Sequence, residues 1–284
     1  TTNLQNSYAF NGQDWSNKVA GNTSGAVNAH DVARYKDFVY VASYDEGTIG
    51  VAQVTSGENG VISDKTAFTR NLKADLTTYG KLTFSDKAQL HGEGVVILDG
   101  NLYVVANCNP EGGYDPYSPS YLIKYVIKED GRLSYDGYTT IGKNTDTVAL
   151  NVYNNYMLST AIGGYQYYGA ENSNAETSID VVTLDPVSKR FTDTRQINLP
   201  ENLLQVRDGK TIPKSEFRSL KVMPNGTAYV MTYNIGRAGK NVDVTVYQTT
   251  VSNLLSSKPQ NWKEVYHEAA APGWFGRLDA EYNT

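Results

Sequence analysis

A single cysteine, Cys108, in a chain of 284 residues excludes an intrachain disulfide, so the fold must be held by its core. Histidine is scarce as well, with three in the chain, which confines imidazole chemistry to very few places. Lys and Arg number 25 against 30 Asp and Glu, and the net charge of -5 argues against nucleic acid, whose phosphates need a basic surface. The charges are dispersed, with no polyelectrolyte tail. No apolar run approaches the roughly 18 residues that mark a spanning helix. HExxH, CxxC, GxSxG, a Gly-Lys-Ser phosphate loop and an EF-hand loop are all missing, so the sequence names no metal and no cofactor. Long helical periodicity is missing too. Asn202–Val206 and Val251–Ser256 are each long enough for one helical turn, and Gly and Asn elsewhere break the 3.6-residue period.

What the sequence does have is 22 tyrosines and a recurring strand–turn pattern. From His91 to Tyr138 four β-rich runs follow one another. VVIL is joined to LYVVA by Asp99-Gly100-Asn101, and YLIKYVI is joined to RLSYDGY by Glu129-Asp130-Gly131. Asp-Gly between such runs is a strong hairpin signal, because both residues accept the positive φ of a primed turn. Four antiparallel strands joined this way make a meander.

The pattern recurs along the chain. FVYVAS at 38–43, LYVVAN at 102–107, YMLST at 156–160 and AYVMTY at 228–233 are copies of one second strand. The corresponding first strands fall near Val32–Tyr35, Val95–Leu98, Val148–Val152 and Leu220–Met223. Third strands are expected at Thr48–Val54, Tyr121–Ile127, Ser178–Leu184 and Val242–Gln248, and fourth strands near Ala67–Leu72, Leu133–Thr139, Thr192–Leu199 and Trp262–Tyr266. The expected fold class is therefore all-β, a β-propeller of four-stranded antiparallel blades, one domain over residues 1–284. Four full blades (26–72, 89–140, 146–200 and 216–268) are visible, with a partial fifth. Segments 1–25 and 269–284 are expected to close the ring, completed by a longer chain or a partner if need be. The Thr-Thr start suggests a processed form.

The YVAS and YVAN-like copies, each followed by an IxVxxV-type strand, resemble the YVTN-type repeats of lactonase-like β-propellers over about residues 26–268. The resemblance implies a propeller fold and no particular activity. The Asp-x-x-Thr turn of those repeats is absent, with Asp185-Pro186-Val187-Ser188 the nearest stretch.

In a four-stranded meander, the loops joining second to third strands share an end with the connections entering the next first strand. The loops are long and rich in tyrosine. Tyr114 and Tyr117 lie in 107–120, and Tyr165, Tyr167 and Tyr168 lie in 163–177. The connections carry His30 with Asp31, His91 with Glu93, Asp146, Arg218 and Arg277. Long loops on a rigid scaffold commonly bind, and tyrosine suits recognition because its ring is apolar and its tip polar. A His at a strand start also commonly ties down a loop carbonyl. The leading expectation is a non-catalytic, extracytoplasmic propeller that binds a glycan, peptide or small molecule, or a protein partner, on this face. The alternatives are a hydrolase- or lyase-type enzyme using His30, His91, Glu93, Asp146 and Arg218 as acid, base and charge-stabilising groups, or a structural surface protein. An extracellular, cell-surface or periplasmic setting is expected from the low Lys/Arg content.

Overall fold

The computed structural model describes residues 29–54, 62–112, 119–143, 150–161, 177–207, 209–234 and 242–271. They form four separate four-stranded antiparallel sheets, each a simple meander, so the chain is all-β and of propeller type. The first sheet is β1 (Ala29–Tyr35), β2 (Phe38–Ser43), β3 (Thr48–Val54) and β4 (Ile62–Asn71). The second is β5 (Gln89–Leu98), β6 (Asn101–Asn109), β7 (Pro119–Ile127) and β8 (Leu133–Lys143). The third is β9 (Leu150–Tyr153), β10 (Tyr156–Ala161), β11 (Ser178–Leu184) and β12 (Phe191–Gln196). A two-stranded hairpin, β13 (Leu204–Arg207) with β14 (Lys210–Pro213), precedes the last blade. That blade is β15 (Glu216–Val222), β16 (Thr227–Asn234), β17 (Val242–Thr250) and β18 (Lys263–Ala271).

The second strand anchors each blade. Tyr40 pairs with Ala33 on one side and Val51 on the other, and the tyrosine ring is fully buried. Tyr103 pairs with Val96, and its ring is buried too. Asp99 and Gly100 take φ of 48° and 72°, as the turn chemistry requires.

Among the described residues, one short helix follows the first meander and another lies between the third and fourth strands of the last blade. The turn expected at Val251–Ser256 is α2 (Val251–Leu255), capped by the Thr250 side chain, which accepts from Asn253 N. The other, α1 (Leu72–Thr78), falls where the sequence pattern had run a fourth strand on to Leu72. Asn71 caps it by accepting from Ala74 N at 2.8 Å, and Leu72 and Leu76 enter the core. Behind them, Asp75 takes a hydrogen bond from Arg70 Nε at 2.9 Å and one from the Tyr125 hydroxyl at 2.7 Å. The turn expected at Asn202–Val206 is shorter and earlier. Glu201–Leu203 forms a 3-10 turn, and Leu204 then enters β13.

The chain packs as two compact units, Thr1–Tyr114 with Tyr121–Thr139, and Asp115–Ser120 with Thr140–Thr284. In the first, Tyr40, Ile49, Leu72, Leu76, Leu102, Val104, Ile123 and Tyr125 belong to one apolar cluster. In the second, Leu158, Ile179, Val181, Phe217, Leu220, Val230, Leu254 and Trp262 do the same. No helix among the described residues is long and apolar enough to cross a membrane.

Candidate functional site

Three of the expected site residues occupy one position of the blade repeat, and at that position the first strand breaks its alternation. In β1 the register slips between Ala29 and Asp31, so His30 is the extra residue. In β5 it slips between Gly92 and Val95, at Glu93 and Gly94. In β15 it slips between Phe217 and Ser219, at Arg218. Counting back three residues from the partner of the repeat tyrosine gives the same answer each time. Ala33 leads to His30, Val96 to Glu93, and Lys221, opposite Tyr229, to Arg218. A β-bulge frees one side chain from the pleat and re-aims it, which is why bulges cluster near functional sites.

His30 and Glu93 meet. His30 Nδ1 lies 2.6 Å from Glu93 Oε2, with the Glu93 side chain fully buried and that of His30 23 % exposed. The local backbone explains the approach. Gly92 has no room for a Cβ, which would sit 2.8 Å from the Ser43 carbonyl oxygen, so β5 runs hard against the end of β2. Gly47, at φ 58°, is pressed against the Leu90 carbonyl in the same way. With Gly92 between them, His91 and Glu93 share one face of β5 and both reach back to the first blade. The bulge in β5 leaves the Val95 amide off the ladder, and Asp31 Oδ2 accepts from it at 2.9 Å.

His91 is built differently from His30. It is buried, at 6 % exposure. Its Nδ1 lies 2.8 Å from the Tyr44 carbonyl oxygen, which can only accept, so Nδ1 carries the proton. Asn109 Nδ2 donates to Nε2 from 2.8 Å. Both ring nitrogens are thus committed, and the neutral tautomer is fixed. The Tyr44 ring stacks between the two histidines, 4.4 Å from His30 and 4.1 Å from His91, centroid to centroid. Asn109 holds His91, His91 holds Tyr44, and Tyr44 backs His30. The sequence did not single out Tyr44 or Asn109. Their signal was positional only, since each closes the end of a second strand.

Arg218 belongs to the second unit and is described there, at its bulge. Asp146, Arg277, Tyr114, Tyr117, Tyr165, Tyr167 and Tyr168 lie outside the described residues. Ala149 holds the third blade's place, three before Val152, and is outside them too. Among the described residues no group of three or more His, Cys, Asp or Glu is placed to hold a metal ion.

No family model matches the chain, and no curated protein does. Solved structures do resemble it. The endo-arabinase from Bacteroides thetaiotaomicron is 11 % identical, with 84 % of this chain and 79 % of that one covered and a TM-score of 0.46. The GH43_1 enzyme from Xanthomonas citri, complexed with xylotriose, is 10 % identical over 85 % and 73 %, with a TM-score of 0.46. Glutaminyl cyclase from Myxococcus xanthus is 12 % identical over 78 % and 65 %, with a TM-score of 0.35. All three are enzymes by name. The expectation of a non-catalytic binding protein is corrected here, since the structures this chain resembles do not support leaving catalysis out. No reaction is transferred from likenesses this distant, which bear on the fold alone.

Proposed function

We propose that the chain is a hydrolase- or lyase-type enzyme in which His30 is the general acid–base and Glu93 its orienting carboxylate. The observation that carries this is the 2.6 Å contact between a partly exposed imidazole and a fully buried carboxylate. Glu93 fixes the ring through Nδ1 and stabilises the imidazolium that forms when Nε2, across the ring, takes a proton from a substrate or water. The Tyr44 stack and the Asp31 bond to Val95 hold the two strands in register around the pair. His91, with both nitrogens committed, is assigned a positioning role. Tyr114, in the same unit, is proposed as a substrate-contacting group, and an extracytoplasmic setting is retained as part of the reading.

The test is a screen of the full chain against chromogenic glycosides, esters and unsaturation-forming uronides, followed by variants on the substrate found. His30→Ala should lower kcat by about 10²–10⁴-fold, with partial rescue by added imidazole. Glu93→Gln should lower kcat less and move the pH profile. A wild-type chain inert to the whole panel, or a His30→Ala variant at wild-type rate, overturns the assignment.

A further inference from the structure

The last blade carries a polar cavity at the connection between its third and fourth strands. Lys263 stands directly opposite Gln248 in the ladder of β17 and β18, so the two side chains leave the same face of the sheet. Thr250, two residues on from Gln248, shares that face before the chain turns into α2. The return from α2 to β18 closes the space from the side, and Asn253 fixes its course. Asn253 Nδ2 donates to the Gln260 carbonyl at 2.9 Å, and Oδ1 accepts from the Gln260 amide at 2.8 Å. On its other side the return is held by Asn198 Nδ2, donating to the Ser257 carbonyl at 3.3 Å, and by Asn202 Nδ2, donating to the Trp262 carbonyl at 2.9 Å. Lys258 stands on this pinned segment, its amide donating to the Ser256 hydroxyl at 3.1 Å. The result is an open cavity of about 450 Å³ whose lining includes Gln248, Lys258, Gln260, Asn261 and Lys263. That volume falls inside the range of about 300–1,000 Å³ found for ligand sites. Every lining residue is polar, two are lysines and none is acidic, in a chain whose net charge is -5.

We propose that this cavity binds a polyhydroxylated anion, a sugar carrying a carboxylate or a phosphate, with Lys258 and Lys263 taking the acidic group and Gln248, Gln260 and Asn261 the hydroxyls. The sign follows from the lining, since two ammonium groups without a carboxylate among them attract an anion and repel a cation. An ammonium is a compact charge with three donors on a flexible stem, so it can meet either acidic group. Sugar hydroxyls both donate and accept, and the amide side chains offer both functions where lysine offers donors alone. The aliphatic stems of the lysines add apolar contact for the C–H face of a sugar ring. Because hydrogen bonds within the chain already hold the return, binding requires little further ordering. The cavity belongs to the second compact unit and uses none of the groups assigned around His30 and Glu93.

The experiment titrates the full chain with glucuronate and with glucose 6-phosphate by calorimetry at low salt, with glucose, acetate and sulfate as controls. At least one sugar anion should bind, about tenfold or more tightly than any control, and the better of the two identifies the acidic group. Raising the salt to about 1 M, where the Debye length is about 3 Å, should weaken that binding several-fold. Lys258→Gln and Lys263→Gln should each weaken it about tenfold, and both side chains are exposed, so the variants should fold as the wild type does. Gln248→Ala should weaken the sugar anion and leave sulfate unchanged. Lys210→Gln, at an exposed lysine of β14 outside the lining, should bind as the wild type does. Failure of the wild type to bind either sugar anion, equal affinity for glucose, acetate or sulfate, wild-type binding by both cavity-lysine variants, or an equal loss in Lys210→Gln overturns the proposal. None of these outcomes touches the His30 assignment, which is read by turnover.

Discussion

Asp180, buried in β11 with the Gly142 amide donating to its Oδ2 at 3.0 Å, carries the sharpest stability prediction, because a carboxylate raised by burial makes its own fold pH-dependent. An ordinary Asp titrates at 3.8, and in the native chain Asp180 titrates at about 6. The native state therefore holds this proton more tightly than the unfolded chain. By linkage, the native state loses stability as pH rises from about 4 to about 6 and keeps a constant deficit above that. At about 1.4 kcal/mol per pH unit, the interval from 3.8 to about 6 corresponds to about 3 kcal/mol. Asp180→Asn removes the titration and keeps an oxygen to accept from the Gly142 amide. Guanidinium denaturation of both proteins at pH 4, 5, 6 and 7 reads the effect directly. Subtracting the two curves cancels every other carboxylate. Most of that interval lies between pH 4 and pH 7, where the variant should gain about 2 kcal/mol relative to the wild type, with the rise centred near pH 5. A difference that is flat with pH, or that falls as pH rises, would refute the claim that burial governs this group.

Two further outcomes test the blade framework. Tyr103→Ala removes a fully buried ring from the second strand and should cost about 3–5 kcal/mol in chemical denaturation, whereas a loss under about 1 kcal/mol would mean that the ring is not the blade anchor. Tyr125→Phe deletes the hydroxyl that donates to Asp75 at 2.7 Å and leaves the carboxylate with Arg70 alone, so it should cost about 1.5–3 kcal/mol, and a neutral result would show that the Tyr125 bond contributes nothing to docking α1.

The meanders were legible in the sequence because period-two alternation and Asp-Gly turns are local signals. Thr48–Val54 and Ser178–Leu184 were delimited to the residue. The short helix α1 was not, although Asn71 as cap and Gly80 beyond the end were present. Its seven residues follow the preceding strand without a break, and about two turns of 3.6 periodicity are hard to separate from it. The β13–β14 pair was missed for a related reason, since Leu204–Arg207 and Lys210–Pro213 hold only four residues each and carry little core. At the site, His30 and Glu93 were both named from topology, but the contact between them was invisible, because residues 63 positions apart are brought together by the spacing of whole blades. The role of His91 was equally hidden. Only the Tyr44 carbonyl and the Asn109 amide, both brought in by the fold, show that its two ring nitrogens are committed.

The bulge explains why one position of the repeat can carry chemistry without unravelling the blade. In an unbroken strand, residue 30 would fall into the alternation set by Val32 and Arg34, both exposed, and its ring would sit on the face opposite the packed Ala33 and Tyr35. One extra residue shifts the strand before it by half a pleat, so the side chain at the slip leaves the ladder while the pairs beyond it stay intact. Val32 still faces Val41 after the slip at His30, Val95 still faces Val104 after the slip at Glu93, and Leu220 still faces Val230 after the slip at Arg218. The cost is confined to a local interruption of the ladder, and in the second blade Asp31 covers the amide just past it. The first, second and fourth blades can then carry an imidazole, a carboxylate and a guanidinium at one position of the repeat. A fold with repeated geometry thereby acquires a chemically unsymmetrical set of groups, and a base with its own orienting acid is what two adjacent copies of that position supply in the first compact unit.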